Sequence, residues 1–187
     1  EEAKALLAGL IMLAVAHEDA NRKTLATVRE YLTLPPEKFR ALLELMQDSA
    51  AAGGLIARAA NRFLGKSDRE AASVMSSAQR HTHFLDSPRI VAATARSDFQ
   101  FSALRHDLTS IFLVLPPNRL DAYSRWLRLL VAQALQDIAR DAEAAQAGAQ
   151  RLKQPALFLL DEFAALGRLE AVERAMGLMA GYGLQLW

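Results

Sequence analysis

A chain of 187 residues that is 52% hydrophobic can bury a core, which excludes a disordered tail and allows one domain or two small ones. Its 22 Lys and Arg nearly balance 21 Asp and Glu, so no overall field exists to hold a polyanion and a nucleic-acid site would have to be local. The absence of cysteine excludes disulfides and thiolate zinc sites and suits a reducing compartment, with the cytoplasm as the default.

In chain order, the first feature is the uncharged apolar run Ala5 to Ala16. A bilayer crossing takes about 20 residues, so this run predicts a buried helix rather than a membrane span. No basic leader precedes it, which argues against a signal peptide. From Lys4 to about Leu85 apolar residues recur at helical spacing, broken by Gly, Pro and Asn. The first helix carries Leu6, Leu10 and Leu13 and ends near His17 to Asn21. Thr24 is placed to cap a short second one. Pro35 and Pro36 open a third, where a missing N–H costs nothing, and it stops before Gly53-Gly54. A fourth is expected from Leu55 to Leu64. Ser67 with Glu70 three residues on forms a capping box for a fifth. This half reads as all-helical.

After Asp86-Ser87-Pro88 the pattern changes. Ser110 to Leu115 is a short apolar run rich in strand formers, ended by Pro116-Pro117, and predicts a buried parallel strand. Leu120, Tyr123, Trp126, Leu127, Leu130, Ala134 and Ile138 then stripe a long helix, expected to fray into the low-complexity stretch Asp141 to Gln150. Leu157 to Leu160 predicts a second buried strand, Leu169 to Met179 a helix, and Leu184 to Trp187 a third strand. Strand, helix, strand, helix, strand is the order of an α/β parallel sheet. The expected organisation is therefore α/β plus all-α, with boundaries 1–85 and 86–187. Starting at Glu1 and stopping at Trp187 inside an apolar stretch, the chain reads as a fragment of a longer protein.

The most informative segment is Ala156-Leu157-Phe158-Leu159-Leu160-Asp161-Glu162. An apolar strand followed by Asp-Glu matches the second signature of P-loop nucleotide hydrolases, with the acids at the strand end where ligands bind in open α/β sheets. In that role Asp161 holds a Mg²⁺ ion through water, and Glu162 orients and deprotonates the attacking water. The structural alternative is a strand that meets solvent at two acids.

The continuation Asp161-Glu162-Phe163-Ala164-Ala165-Leu166-Gly167-Arg168-Leu169, with Met179-Ala180-Gly181-Tyr182-Gly183, resembles the region around the catalytic acids in TraG-like coupling ATPases of bacterial conjugation and type IV secretion. Phe84-Leu85-Asp86-Ser87-Pro88, Ser97-Asp98-Phe99, Phe112-Leu113-Val114-Leu115-Pro116-Pro117 and Arg125-Trp126-Leu127-Arg128-Leu129-Leu130 extend the likeness over about Phe84 to Trp187. The helical half fits more loosely. The resemblance implies a hexameric ATPase anchored in a bacterial inner membrane, whose RecA-like nucleotide-binding domain carries an all-helical insertion. Its cytoplasmic part would use ATP and Mg²⁺ to deliver relaxase or effector proteins, directly or through adaptors, to the secretion channel, with DNA a further candidate partner. It places the phosphate loop before Glu1 and a nucleotide-sensing glutamine after Trp187, so no cofactor is expected on the fragment itself. A helical binding module without catalysis of its own is the alternative.

Other features invite competing readings. Gly65-Lys66-Ser67 looks like the end of a phosphate loop, but the motif needs a glycine where Ala60 stands. A helix stop at Gly65 and a cap at Ser67 explain it better. Where some relatives carry an arginine near the end of the helix after the acids, this chain has Leu178-Met179-Ala180-Gly181; Arg168 and Arg174 are available, each more simply a solvated helix residue. His81 and His83, two apart, point to different faces and do not suggest a shared metal. Arg119, Arg125 and Arg128 could touch DNA or a neighbouring subunit, or form the charged outer face of a helix.

Overall fold

The computed structural model describes residues 1–146, 155–161, 167, 169, 172–173 and 179–187, with side chains for all of these but 145, 146, 179 and 180. Its contacts divide it into two compact units, Glu1–Ser97 and Asp98–Trp187.

The first unit is helical: α1 (Glu2–His17), a 3-10 turn (Ala20–Arg22), α2 (Leu25–Leu32), α3 (Pro36–Gln47), α4 (Leu55–Leu64), α5 (Asp68–Thr82) and a short α6 (Pro88–Thr94). The local signals act where the sequence puts them. The Thr24 hydroxyl accepts the Thr27 N–H at 3.3 Å, and Pro36 occupies the first turn of α3. Gly53 and Gly54 sit at φ 61° and 75°, the left-handed region that favours glycine, and end the α3–α4 connection. Ser67 and Glu70 form the reciprocal capping box. Pro88 starts α6, which lies against α2, and the contacts group α6 with the helices before it as far as Ser97.

Leu10, Leu13, Leu32, Leu43, Met46 and Ile56 are fully enclosed and form the centre of this unit's core. α1, expected to be buried throughout, is covered on one side by α2, α4 and α5. Ile11 and Val15 on its other side are 40% and 59% exposed. A β-carbon built on Gly9 would lie 2.4 Å from that of Ala59, so α1 and α4 cross where only glycine fits. A latch closes the unit: Arg29 Nε and Nη2 donate to the two Asp86 oxygens at 2.7 Å each, while Nη1 donates to Gln79 O at 2.8 Å and Thr82 Oγ1 at 3.0 Å. The guanidinium holds the Asp86 carboxyl below its usual range.

The second unit contains a 3-10 turn (Phe101–Arg105), another (Pro117–Arg119), the long α7 (Leu120–Gln146), and the strands β1 (Ala156–Phe158) and β2 (Leu184–Leu186). β1 and β2 pair in parallel with Ala156, Leu157 and Phe158 opposite Leu184, Gln185 and Leu186. They cover the ground of two of the three expected strands. The third expectation fails: residues 108–116 are irregular, and Phe112 and Val114 are 83% and 84% exposed. A strand requires a neighbour to take its backbone N–H and C=O groups, and among the described residues none lies alongside. The expected fraying from Asp141 also does not occur before Gln146, because Ala and Gln propagate a helix well. The helix expected over Leu169 to Met179 falls mostly outside the described residues; Val172 and Glu173 are helical.

Val131, Leu135 and Ile138 of α7 form the second core with Ala156, Leu169, Val172 and Leu184. The Phe101–Arg105 turn is pinned to the same helix by polar groups. Buried Arg105 reaches Asp141 at 3.3 Å and the Ile138 carbonyl at 3.5 Å, and His106 Nε2 lies 2.9 Å from the same carboxylate.

Gly9→Ala gains up to about 1 kcal/mol of helix propensity but forces α1 and α4 apart, and overpacking costs about 1–3 kcal/mol. A net loss of about 1 kcal/mol is expected in urea unfolding of this chain. An unchanged or raised midpoint would show that the two helices separate at no cost.

Candidate functional site

In a parallel pair the carboxyl ends of both strands lie side by side. Here the ladder continues past β1, with Trp187 N–H donating to Phe158 O and Leu160 N–H donating to Trp187 O, each at 2.9 Å. Asp161 follows in an exposed turn at that end. Glu162, the expected base, lies outside the described residues, as do Arg168 and Arg174.

The strand leading to Asp161 is not buried on both faces as its composition predicts. Ala156 is buried against α7, with Phe158 and Leu160 packed on the same core, whereas Leu157 and Leu159 are 51% and 71% exposed. Alternate residues of a strand point to opposite faces. One face is covered by α7, and among the described residues nothing covers the other.

α7 also approaches the far end of the acid segment. Gly167 has φ 62°, again the left-handed region. Arg128 Nη1 lies 3.6 Å from where a Gly167 β-carbon would stand. Arg128 is half-buried and falls on the stripe that continues through Val131, Leu135 and Ile138, at helical steps of three and four. It therefore belongs to the packed side of α7, not to the charged outer face considered above. The sequence signal for this was the register: Arg128 lies three residues before the first buried valine of the stripe.

Among the described residues no three His, Cys, Asp or Glu side chains converge as a metal cage. One carboxylate among the described residues of this strand end does not make a zinc site. It does suit Mg²⁺, which keeps several waters and takes one or two carboxylates together with substrate phosphates. His81 stands on α5 and His83 in the turn after it, and they form no such cluster.

The Gly65-Lys66-Ser67 run is structural. Gly65 ends α4 with its N–H on the Asn61 carbonyl at 2.9 Å, and Ser67 caps α5. Lys66 and Arg62 both pair with Glu2, which ties the start of α1 to the end of α4. Hydrogen bonds from these two cations, Arg62 first, hold the Glu2 pKa down at about 2. Among the described residues no helix is long and apolar enough to cross a membrane.

The profile of a family described as "Type IV secretory system Conjugative DNA transfer" matches residues 1–187. The chain is similar to a conjugal transfer protein TraG of Escherichia coli, at 30% identity over 98% of this chain and 30% of that protein. It is similar to a VirD4 protein of Rhizobium radiobacter, at 31% identity over 85% of this chain and 22% of the relative. A VirD4 protein of Agrobacterium fabrum is 39% identical over 51% of this chain and 14% of its own length. The chain thus spans less than a third of the length of these relatives. No solved structure gives a significant match.

Because Leu157 and Leu159 face outward in this chain, replacing both by Lys is expected to change its unfolding free energy by no more than about 0.5 kcal/mol per site, the usual range for surface positions. Ile138→Ala, in the enclosed stripe, should cost about 2–5 kcal/mol. A double Lys variant as unstable as Ile138→Ala would place those leucines in a core.

Proposed function

The chain belongs to the type IV secretory system conjugative DNA transfer family, and from that premise we propose that it is a portion of a TraG-like coupling ATPase. In this reading the second unit supplies one wall of a RecA-like ATP site, and the helical unit is the inserted domain that meets substrates. The whole protein would act as a hexamer anchored in the inner membrane, passing relaxase-bound DNA or effector proteins to the secretion channel.

Asp161 carries the reading: an exposed carboxylate at the carboxyl end of a parallel strand pair is where α/β sheets bind ligands. It would hold Mg²⁺ through water, and the bound ion supplies charge neutralisation on the phosphate oxygens. Glu162 would accept a proton from the water that attacks the terminal phosphorus, so that the P–O bond to the ADP leaving group breaks. In the full-length protein Glu162→Gln is expected to leave ATP affinity within a few-fold and to cut turnover by about 10²–10⁴, the usual worth of a general base. Near wild-type hydrolysis would remove Glu162 from this role.

A second reading, a helical recognition module, is favoured by the first unit's own core and latch. Charges nearly cancel over the helical half, so a protein surface suits it better than bare DNA, whose binding rests on counterion release by clustered cations. Titrating the helical segment against duplex DNA and against a secreted protein or its adaptor, at two salt concentrations, should give protein binding with a shallow salt dependence. Tight, steeply salt-dependent DNA binding alone would assign the unit to DNA.

A further inference from the structure

We infer that the shared outer face of α1 and α4 docks an acidic amphipathic helix carried by a protein that the helical unit recruits. The inference rests on the recognition-module reading above and gives that module a surface and its partner a chemistry. Three links fix the surface. Arg62 and Lys66 pair with Glu2 at the start of α1, Gly9 meets Ala59 midway, and His17 Nε2 lies 2.7 Å from Ser49 Oγ, in the segment that leads to α4. The two helices therefore run side by side in opposite directions. On the side of α1 turned from the core, Lys4, Ala8, Ile11 and Val15 are exposed at steps of four, three and four, which is one stripe of a helix. Leu55, 47% exposed, Ala59 and Arg62 follow one face of α4, the face that Gly9 and Glu2 meet, and Arg58 is exposed between them.

The chemistry of this face is lopsided. Residues 3–17 and 49–67 contain no Asp or Glu but hold Lys4, Arg58, Arg62 and Lys66, so charges that nearly cancel over the unit do not cancel here. Glu1 and Asp48 stand just outside these two segments. Glu2 is engaged by Arg62 and Lys66, and Glu70 by its capping box with Ser67. α4 begins at Gly54 with no side-chain cap and no acid in its first turn, which leaves the positive end of its dipole without an offset. From Lys4 to Val15 the stripe runs about 16 Å, three turns of a partner helix. A complementary partner lays apolar side chains on Ile11, Val15 and Leu55 and sets carboxylates against the flanking cations. A nucleic acid suits the face less, because its phosphates use dense cations and would leave those three side chains in water.

The test titrates the 187-residue chain, by fluorescence anisotropy, with a labelled helical peptide of Leu, Ala and Glu whose Leu recur at steps of three and four, and with the same peptide carrying Lys for Glu. Variants are Ile11→Asp with Val15→Asp, Lys4→Glu with Arg58→Glu, and Leu45→Asp, at an exposed leucine of α3. Expected is saturable binding of the acidic peptide, about 10-fold or more tighter than the basic one, and a loss of about 10-fold or more in the α1 double variant. The charge variant should lose several-fold, an effect that shrinks as salt rises. Leu45→Asp should bind as wild type, and all thermal midpoints should stay near wild type. No saturable binding, equal binding of both peptides, an equal loss in Leu45→Asp, or a midpoint collapse in the α1 variant overturns the inference. So does self-association in sedimentation that the α1 variant abolishes, which would make the face a contact between copies. The secreted protein or adaptor titrated above is measured on the α1 variant as well. Unchanged binding there overturns the docking surface and leaves the recognition reading intact, whereas a wild-type chain that binds neither protein overturns both.

Discussion

One apolar stripe on α7 organises the second unit. Val131, Leu135 and Ile138 form the floor on which Ala156, Leu184, Leu169 and Val172 lie. Two strands of three residues each would not hold together by their ladder alone. Full burial of each aliphatic side chain contributes about 1.5–3 kcal/mol, so the stripe outweighs the net worth of the few ladder hydrogen bonds, about 0.5–1.5 kcal/mol apiece. The position of Asp161 follows from it: the strands run parallel across α7, their carboxyl ends coincide, and the acid emerges where the ladder stops. Arg128, one turn before Val131, brings a cation from the same stripe against Gly167.

The helical unit is held by different means. Its core is closed by helix crossings, and at one of them the absence of a β-carbon on Gly9 sets how closely α1 meets α4. Arg29 gathers α2, the end of α5 and the turn before α6 through four hydrogen bonds. Its side chain is 12% exposed, so its loss would strand buried acceptors as well as remove an ion pair. Asp86 is more open, and solvent weakens that half of the latch. Such a unit keeps its shape from its own contacts.

Apolar surface in the second unit is unevenly used. Leu157, Leu159 and Trp187 share the strand face turned away from α7, and the irregular segment 108–116 exposes Leu108, Phe112 and Val114. Continuous apolar runs are the mark of strands covered on both faces. In the described residues only one cover exists, the α7 side, and the opposite face leaves large side chains in water.

The sequence by itself determined the helical unit almost element by element, because its signals are local. A cap at Thr24, a proline at Pro36, left-handed glycines at Gly53 and Gly54 and the Ser67–Glu70 box act within one turn of where they stand. It also determined the parallel pairing of the segments around Leu157 and Leu184, since short apolar runs separated by a crossover leave few other arrangements. The acids after β1 were legible for the same reason, being consecutive in the chain. Burial was decided only by tertiary structure. An apolar run such as Ser110 to Leu115 becomes a strand only when a neighbour takes its hydrogen bonds, and hydrophobicity does not say whether one exists. The half-covered face of β1, the outward side of α1 and the inclusion of α6 in the first unit likewise depend on which surfaces meet. Arg128 shows the same limit: its register on α7 is written in the sequence, but its contact with Gly167 requires two segments distant in the chain to pack together.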